Sequence, residues 1–535
     1  MTAPGDRAAA GAPLLVLRSI PRRERRWRAL DAVLFNVAAT NVLPLLALAA
    51  LLASVSQFAV GLAIALVVAA LLCAGEGVVY AFLASSMPRD GGDYYFQSRL
   101  LSPATGVVFA ATSALFGGAL WTAVAGWMLG TMALGPFLWA LGMATGLHGL
   151  SAAAAAVRSP FGIAALTLAT VLWSVALNLA GMRTYAAVQR WLSAVVVVSL
   201  GLSLGLVLTS GSSVLVAFPG TFTGAVSAPS SGSAAAVVSL LPLALVLLVR
   251  NGRAAYVSGE IRGAVDLRRQ LLVVLVALGV ATALSIGLLA AFGSHLAVER
   301  HLAVRAAAGT PLPHFFLVHP SSAGGPWPTR AAACLLPVAI GVWLLVWTPG
   351  LTLAASRVIV AMAADTLLPR RLRELQRRST LAPTPAILVV VVLCLACAVV
   401  SYLTGAVDVV AAAVGLDVVS AAVTCAGGAL FPFLRREVYR ESRAAPYELL
   451  GVPSITIAGA LFVTFVGVAA ILLAVEPPFG LVMLRSAFAL AAALTAVSAA
   501  LVLVRRLLPR PRAGAEVELL YEPAPRTAGP PSATP

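Results

Sequence analysis

Two arginines lie three residues apart inside a long apolar stretch, in the run Arg250-Asn251-Gly252-Arg253. An arginine within an apolar helix is costly unless it is paired or reached by water, and Arg250 lies too deep in this stretch for its side chain to extend to the helix end. We therefore expect the two arginines either to bind the carboxylate of a bound molecule or to neutralise a carboxylate of the protein. A purely structural internal ion pair is the alternative.

Three acidic residues could form ion pairs with these arginines or carry a proton: Glu76, Glu260 and Asp417. Glu76 lies between Gly75 and Gly77, where the lack of side chains lets neighbouring helices approach closely. Glu76 could therefore either carry a proton or form an ion pair with an arginine. The sequence leaves both interpretations open.

The amino-acid composition indicates the class of protein in which these charged residues lie. Of the 535 residues, 60% are hydrophobic and 10% are charged, whereas soluble domains have roughly 45–50% apolar and about 25% charged residues. This balance excludes a soluble enzyme, a fibrous protein and a disulfide-stapled secreted module. All 36 basic residues are arginines, and they are scattered between apolar stretches. The lipid bilayer is therefore an expected partner and nucleic acid is not.

Twelve apolar stretches, bounded by Arg, Pro, Gly or Ser, are long enough to cross the hydrocarbon core of a membrane, which requires about 20 residues. Arginines collect on the cytoplasmic side of membrane proteins. Alternate connections, counted with the N-terminal arm and with the C-terminal residues up to Arg512, hold 27 arginines on one side and 5 on the other. We therefore predict a multi-pass protein of the cell membrane with both termini in the cytoplasm. The predicted spans are 31–53, 57–84, 103–131, 162–180, 185–209, 235–261, 270–292, 335–363, 385–404, 408–433, 453–475 and 483–504.

This pattern divides the chain into four parts. A cytoplasmic arm (1–30) precedes a core of ten spans (31–433), which is followed by two further spans (434–508) and a disordered cytoplasmic tail rich in Pro, Ala and Gly (509–535). The segment 293–334, on the outer side, holds four histidines. Their spacing fits no compact metal motif, so we expect no metal site.

Four segments at the ends of spans resemble the amino acid-polyamine-organocation superfamily of permeases. In the first, between spans 2 and 3, glycines predict a turn that is followed by aromatic residues at the membrane interface, with Arg99 facing water. The resemblance implies an all-α polytopic membrane protein with a five-plus-five inverted repeat, in which spans 1 and 6 are discontinuous and bind substrate at the midplane. The segments are MPRDGGDYYFQSRLLSP (Met87–Pro103), NLAGMRTYAAVQRW (Asn178–Trp191), YVSGEIRGAVDLRR (Tyr256–Arg269) and ASRVIVAMAADTLLPRRL (Ala355–Leu372).

Pro44 predicts a break in span 1. Proline has no amide hydrogen, and its ring clashes with the carbonyl four residues earlier, which is that of Thr40. Counting about 1.5 Å per residue along the helix places Asn41 near the middle of the membrane. The resemblance thus implies substrate binding by Ala39, Thr40 and Asn41, together with residues 250–253, which lie where the family often has a short glycine-containing break in span 6. A simple proline kink, with polar side chains joining neighbouring helices, is the alternative.

The resemblance also suggests coupling or gating residues. Glu260 aligns with the family's acidic position after the break in span 6, where it would form a gate or a helix-end pair; a simple interfacial charge is the alternative. Arg357 matches the motif of span 8 and is expected to pair with Asp365 or with an acid elsewhere. Thr352 and Ser356, four residues apart on one helix face, could coordinate Na⁺ as hydroxyls do in sodium-driven relatives, or could bond to their own helix.

The sequence does not distinguish coupling to Na⁺ from coupling to H⁺, and no cofactor beyond such an ion is expected. Some proton-coupled relatives place a lysine where Na⁺ would bind, and that variant is excluded because the chain contains no lysine.

The leading functional hypothesis is a secondary active transporter that carries amino acids, or related small amines and carboxylates, across the cell membrane by alternating access. A solute exchanger of the same fold is the alternative, and a channel or structural membrane protein is a more distant one. Enzymatic activity is not expected, because neither a His-Glu-x-x-His motif nor an Asp-rich pyrophosphate-binding segment occurs. A small-molecule solute is thus the expected partner beside the bilayer.

Overall fold

A computed structural model describes residues 27–40, 42–46, 58–209, 234–293, 327–365, 367–373 and 383–475, with 492–493, 495–496 and 498–500. Within these residues, eleven helices are long and apolar enough to cross a membrane. The chain is an all-α polytopic membrane protein, as the apolar pattern predicted. In order, spans 1 to 11 are Ala29–Leu46, Val60–Ser86, Pro103–Gly142, Pro160–Leu179, Met182–Leu206, Val237–Tyr256, Leu267–Ala290, Cys334–Ala364, Thr384–Thr404, Ala406–Leu434 and Ser454–Val475.

The spans follow the predicted order, with differences in length and completeness. Span 3 runs on to Gly142, well past its predicted end, and the helix that contains span 8 begins earlier, at Trp327. The predicted span 12 lies mostly outside the described residues, but Ser498 is described and its hydroxyl lies 2.6 Å from that of Thr112 in span 3. The N-terminal arm before Trp27, the four histidines of segment 293–334 and the tail also lie outside the described residues.

The secondary structure consists of helices of several kinds and one pair of very short strands. The α-helices are Ala29–Thr40, Phe58–Ser86, Gly92–Leu100, Pro103–Thr105, Gly118–Met128, Gly135–Thr145, His148–Arg158, Pro160–Leu179, Met182–Thr209, Ala234–Leu248, Leu267–Gly293, Trp327–Ala364, Thr384–Thr404, Ala406–Leu434, Arg436–Glu441 and Ser454–Val475. The π-helical turns are Gly106–Ala111, Ser113–Gly117 and Leu129–Leu134, and the 3₁₀ turns are Arg253–Tyr256, Ser258–Glu260 and Arg370–Arg373. The strands Glu448–Leu449 and Val452–Pro453 pair antiparallel.

The spans form an inner and an outer group. At least 67% of spans 1, 3, 6, 8 and 10 is buried, whereas spans 4, 5, 9 and 11 are only 28% buried. The outer spans expose large apolar side chains such as Val197, Val392 and Ile471. Lipid tails are as apolar as these side chains, so this exposure is stable in a bilayer. The inner spans can therefore carry polar residues that the outer group shields from lipid.

The segment between spans 2 and 3 is placed differently from the sequence-based expectation. Its residues Gly92–Leu100 form a short helix, which we call the linking helix, and all of its residues are buried. Arg99 was expected to face water, and this was wrong. Its guanidinium donates to both carboxylate oxygens of Asp365, at 2.5 and 2.6 Å. The expectation failed because this counter-ion, at the end of span 8, is 266 residues away in the sequence.

Gly126 provides a test of the packing between the inner and outer groups. A Cβ atom at this position in span 3 would collide with the backbone and hydroxyl of Thr167 in span 4. We expect Gly126→Ala to lower the free energy of unfolding by about 1–3 kcal/mol, because an added methyl group overpacks a close contact. Thermal unfolding in detergent measures this change.

Gly201→Ala is the matched control, because no atom lies within 4 Å of a Cβ there. Equal unfolding temperatures for the two variants would contradict the packing described here.

Candidate functional site

Span 6 is interrupted at the position of its two arginines. The helix Ala234–Leu248 ends there. Arg250 adopts a φ of +73°, in the left-handed region of backbone conformation that residues other than glycine rarely adopt. After the interruption the chain continues as 3₁₀ turns, of which the first is Arg253–Tyr256. In this turn, the backbone N–H of Ala254 donates to Oδ1 of Asn36 in span 1, at 2.6 Å. A side chain from span 1 therefore satisfies a backbone donor that the interrupted helix leaves free.

Residues of span 2 stabilise the interruption. The backbone N–H of Arg250 donates to both carboxylate oxygens of Glu76, at 3.1 and 3.3 Å. The side-chain amide of Asn251 donates to Oε2 of Glu76 at 3.3 Å and to the carbonyl of Cys73 at 3.1 Å. A Cβ at Gly252 would lie 2.6 Å from the ring of Tyr80. The first three residues of the run thus each bring the interrupted chain close to span 2.

The side chain of Arg250 forms ion pairs with two carboxylates of the protein. One of its terminal nitrogens lies 2.6 Å from Oδ2 of Asp93 in the linking helix. The other lies 2.7 Å from Oδ1 of Asp417 in span 10 and 2.6 Å from the hydroxyl of Ser113 in span 3. Arg250 therefore pairs with carboxylates of the protein itself, which fits both the neutralising role and the purely structural ion pair that the sequence left open.

Asp93 is the site residue that sequence reasoning missed. Its side chain is fully buried, and it accepts hydrogen bonds from the hydroxyls of Tyr80, Tyr256 and Ser420 in addition to the ion pair with Arg250. The only signal in the sequence was an acid next to a glycine turn and a run of aromatic residues. That pattern is also typical of a membrane interface, and we had interpreted it in that way.

Asp417 is held in the same network. Its Oδ1 accepts from Ser113 at 3.0 Å, and its Oδ2 accepts from the indole nitrogen of Trp121 at 2.9 Å. The ring of Trp121 meets that of Trp347 in span 8 edge to face, with centroids 5.1 Å apart. Asp417 thus connects the charged cluster to an aromatic pair.

A small cavity lies beside this cluster. Its volume is about 20 Å³, and it is lined by residues of spans 1, 3, 6, 8 and 10, among them Ala39, Thr40, Trp121 and Trp347. A cavity of this size has room for about one water molecule. The predicted residues Ala39 and Thr40 of span 1 therefore lie beside the interruption of span 6, while Asn41 lies outside the described residues.

Arg253 lines the cavity and has spare capacity for hydrogen bonds. Its closest carboxylate is that of Asp417, at 3.9 Å, and its guanidinium lies 5.5 Å from the ring centre of Tyr256. Within the described part of the chain, its Nε has no hydrogen-bond partner. The arrangement leaves the Arg253 guanidinium able to bind a further anionic group that enters the cavity.

A second cluster joins the end of span 6 to span 8. Arg357 lies 2.9 Å from Oε1 of Glu260 and 3.7 Å from Oδ2 of Asp90, which precedes the linking helix. Oδ1 of Asp90 accepts the backbone N–H of Gly259 at 3.0 Å. The sequence left the partner of Arg357 open, and the structure identifies Glu260 and Asp90; Asp365 pairs with Arg99 instead.

The first described residues close over this second cluster. The backbone N–H of Trp27 donates to the carbonyl of Glu260 at 3.1 Å, and the N–H of Arg262 donates to the carbonyl of Trp27 at 2.9 Å. The indole of Trp27 donates to the carbonyl of Met182 at 3.2 Å, and the side chain is fully buried. These contacts close the end of the inner group at which Arg89, Arg262 and Arg357 lie, and we call it the arginine-rich end.

The carboxyl group of Asp90 has an unusual protonation equilibrium. Burial raises its pKa to about 6, and the negative charge of Glu260 raises it too, against the opposing effect of the Arg357 and Arg89 guanidinium groups and the hydrogen bond from Gly259. A carboxyl group with this pKa changes charge in mildly acidic solution.

The two hydroxyls considered for sodium lie on the buried face of span 8. Thr352 and Ser356 are both buried, and the hydroxyl of Ser356 donates to the carbonyl of Leu353 in its own helix at 2.8 Å. Neither residue lines the cavity described above. Among the described residues, no three His, Cys, Asp or Glu side chains are grouped so that they could hold a metal ion.

Comparison with known proteins gives one family match. A sequence model described as amino acid permease matches residues 35–498, most of the chain. No curated protein matches the chain. The matched region includes the interruption of span 6, the linking helix and the second cluster.

The ion pairs of Arg250 predict a stability effect. The variant Arg250→Met leaves Asp93 buried without a cation and leaves Asp417 with only Arg253, at 3.9 Å. Breaking a buried pair in this way costs about 3–5 kcal/mol. We expect a large fall in the thermal unfolding midpoint. Adding Asp93→Asn and Asp417→Asn to Arg250→Met should recover part of the loss. An Arg250→Met protein as stable as the wild type would contradict the pairing.

The pKa of Asp90 predicts how stability depends on pH. Because this pKa is raised to about 6, above the value of about 3.9 for an unfolded chain, the folded protein keeps a proton that the unfolded chain loses. The contribution of Asp90 to stability is therefore greatest below about pH 4 and is lost as the pH rises to about 6. Unfolding midpoints of the wild type and Asp90→Asn, measured over this range, should diverge. Parallel curves, like those expected for the exposed control Glu441→Gln, would refute the assignment.

Proposed function

Since the chain belongs to the amino acid permease family, and is therefore a membrane transporter for amino acids, we propose that it is a secondary active transporter that works by alternating access. The proposed binding site is the cavity between the interrupted span 6 and spans 1, 3, 8 and 10. The five-plus-five inverted repeat expected from the resemblance is part of this proposal. Residues 250–253 are the part of span 6 at which the solute is proposed to bind.

The observation that carries the proposal is the position of Arg253. It lines a cavity at the interruption of a buried span, and its Nε has no hydrogen-bond partner within the described residues. Arg250 is already occupied by Asp93 and Asp417. The carboxylate of an incoming amino acid would therefore bind Arg253, and the apolar and aromatic lining would contact the rest of the molecule.

Transport requires a conformation different from the closed one. The cavity holds about one water molecule, which is too little space for an amino acid. The arginine-rich end is closed by the Arg357–Glu260 pair and by Trp27. In the proposed cycle this end faces the cytoplasm, and these contacts break to let the solute leave or enter on that side. The same geometry also serves exchange of one solute for another, and the assay below separates exchange from net uptake.

The test uses purified protein in liposomes. Counterflow of a panel of radiolabelled amino acids measures exchange, and accumulation against a concentration gradient measures net active uptake. Arg253→Gln should bind its preferred amino acid about ten- to hundred-fold more weakly, because a hydrogen bond to a charged group contributes about 1.5–3 kcal/mol. Arg253→Lys keeps the positive charge and should retain part of the affinity.

The exposed arginine Arg435 provides the matched control, since Arg435→Gln removes one positive charge from a residue that does not line the cavity. Unchanged affinity in Arg253→Gln would remove this residue from the binding site. If no amino acid in the panel were exchanged or accumulated by the wild type, the proposed function itself would be refuted.

A further inference from the structure

The cluster around the interruption of span 6 has an uneven number of charges. It contains the carboxylates of Glu76, Asp93 and Asp417 and the guanidinium groups of Arg250 and Arg253, and all five side chains are buried. With every group ionised, this cluster carries one excess negative charge. A buried excess charge is expensive in a low-dielectric interior. The addition of one proton makes the cluster neutral.

The positions of the two arginines show which carboxylate lacks a cation. Arg250 divides its terminal nitrogens between Asp93 and Asp417, and Arg253 has Asp417 as its closest acid. Among the described residues, no arginine side chain forms an ion pair with Glu76. The carboxylate of Glu76 accepts only uncharged donors, the backbone N–H of Arg250 and the side-chain amide of Asn251.

Among the residues that the structure describes, the surroundings of Glu76 supply no second cation. The neighbouring spans 7 and 11 bring uncharged groups to the flanking glycines: the side chain of Val274 lies at Gly77, and the backbone carbonyl of Ala458 and the side chain of Phe462 lie at Gly75. The titratable groups that face Glu76 are Cys73 and Tyr80 on its own span, Asp93 on the linking helix, Arg250 on span 6, and Asp417 and Cys425 on span 10. Arg250 is the single cation in this set, and its guanidinium is occupied by the two aspartates.

From this arrangement we propose that Glu76 is the proton-binding site that couples transport to a proton gradient. The inference rests on the proposed function and names its coupling ion. A proton from water on one side of the membrane binds a carboxylate oxygen of Glu76, and it is released from that oxygen to water on the other side. No other bond is made or broken in this step.

The proton and the solute are coupled through the shared charges. When the carboxylate of a solute binds Arg253, that guanidinium is drawn from Asp417, and Arg250 alone is left to balance both aspartates. A proton on Glu76 then relieves the excess negative charge. Binding of the solute and binding of the proton therefore favour each other, and the coupling acts equally in both directions.

The proposal is tested with liposomes containing wild type, Glu76→Gln or the control Glu441→Gln, which removes an exposed acid outside the spans. The probe is a radiolabelled mixture of the common L-amino acids. A proton gradient of about one pH unit can drive about tenfold accumulation at one proton per solute. The wild type and the control should accumulate label to this extent, and a protonophore should abolish it. Glu76→Gln, which retains a carbonyl to accept the Arg250 N–H, should exchange label at equal pH but show no accumulation driven by the proton gradient.

Two results would overturn the proposal. One is accumulation by Glu76→Gln driven by the proton gradient as in the wild type. The other is wild-type accumulation that follows a sodium gradient and ignores the proton gradient, which would favour the hydroxyls of Thr352 and Ser356 as the coupling site. A wild type that exchanges no label would instead contradict the proposed function, so the two failures are distinguishable.

A measurement on the wild type alone covers the case in which Glu76→Gln does not fold. In weakly buffered detergent solution with a pH indicator, addition of the amino acid mixture should cause uptake of close to one proton per protein at the pH of greatest effect. Absence of proton uptake at every pH in the stable range, while the same amino acids raise the unfolding temperature, would also refute the proposal.

Discussion

The ion pairs of Arg250 with Asp93 and Asp417 are the constraint on which the inner part of the structure depends. They bring the interrupted span 6 together with span 10 and with the linking helix, and the backbone of Arg250 also contacts Glu76 in span 2. The left-handed conformation of Arg250 is unfavourable for a residue with a side chain. The protein maintains it because the charges and the backbone donor both find partners only in this geometry. The interruption of the helix and the charge network are therefore one feature.

Sequence reasoning located this feature because the cost of a charge in an apolar segment is local. Two arginines within a span required an explanation, and the resemblance to the permeases predicted an interruption at residues 250–253. Counting along span 1 placed Asn41 near the middle of the membrane, and its neighbour Thr40 lines the cavity beside Arg253. Eleven of the predicted spans were found in order, because length and apolar composition are sufficient to define a membrane helix.

The partners of these charges could not be predicted, because pairing depends on which helices become neighbours. Glu260 and Arg357 are 97 residues apart, and Arg250 and Asp93 are 157 apart. Arg99 shows the same difficulty: an arginine beside aromatic residues is typical of a membrane surface, and only the position of Asp365 makes its burial possible. Asp93 was missed for this reason, since its acidic side chain had no visible counter-ion nearby in the sequence.

The linking helix, together with Asp90 two residues before it, carries three charged side chains that pair in different directions. Asp90 pairs with Arg357, Asp93 with Arg250, and Arg99 with Asp365. A short helix moves as a rigid unit, so a displacement large enough to break one of these pairs also strains the other two. The pairs are therefore expected to separate together. In the proposed alternating-access cycle, partly opened forms through which ions or solutes could leak would then be higher in energy than either end state. The short segment would thereby help to keep the membrane's permeability barrier intact.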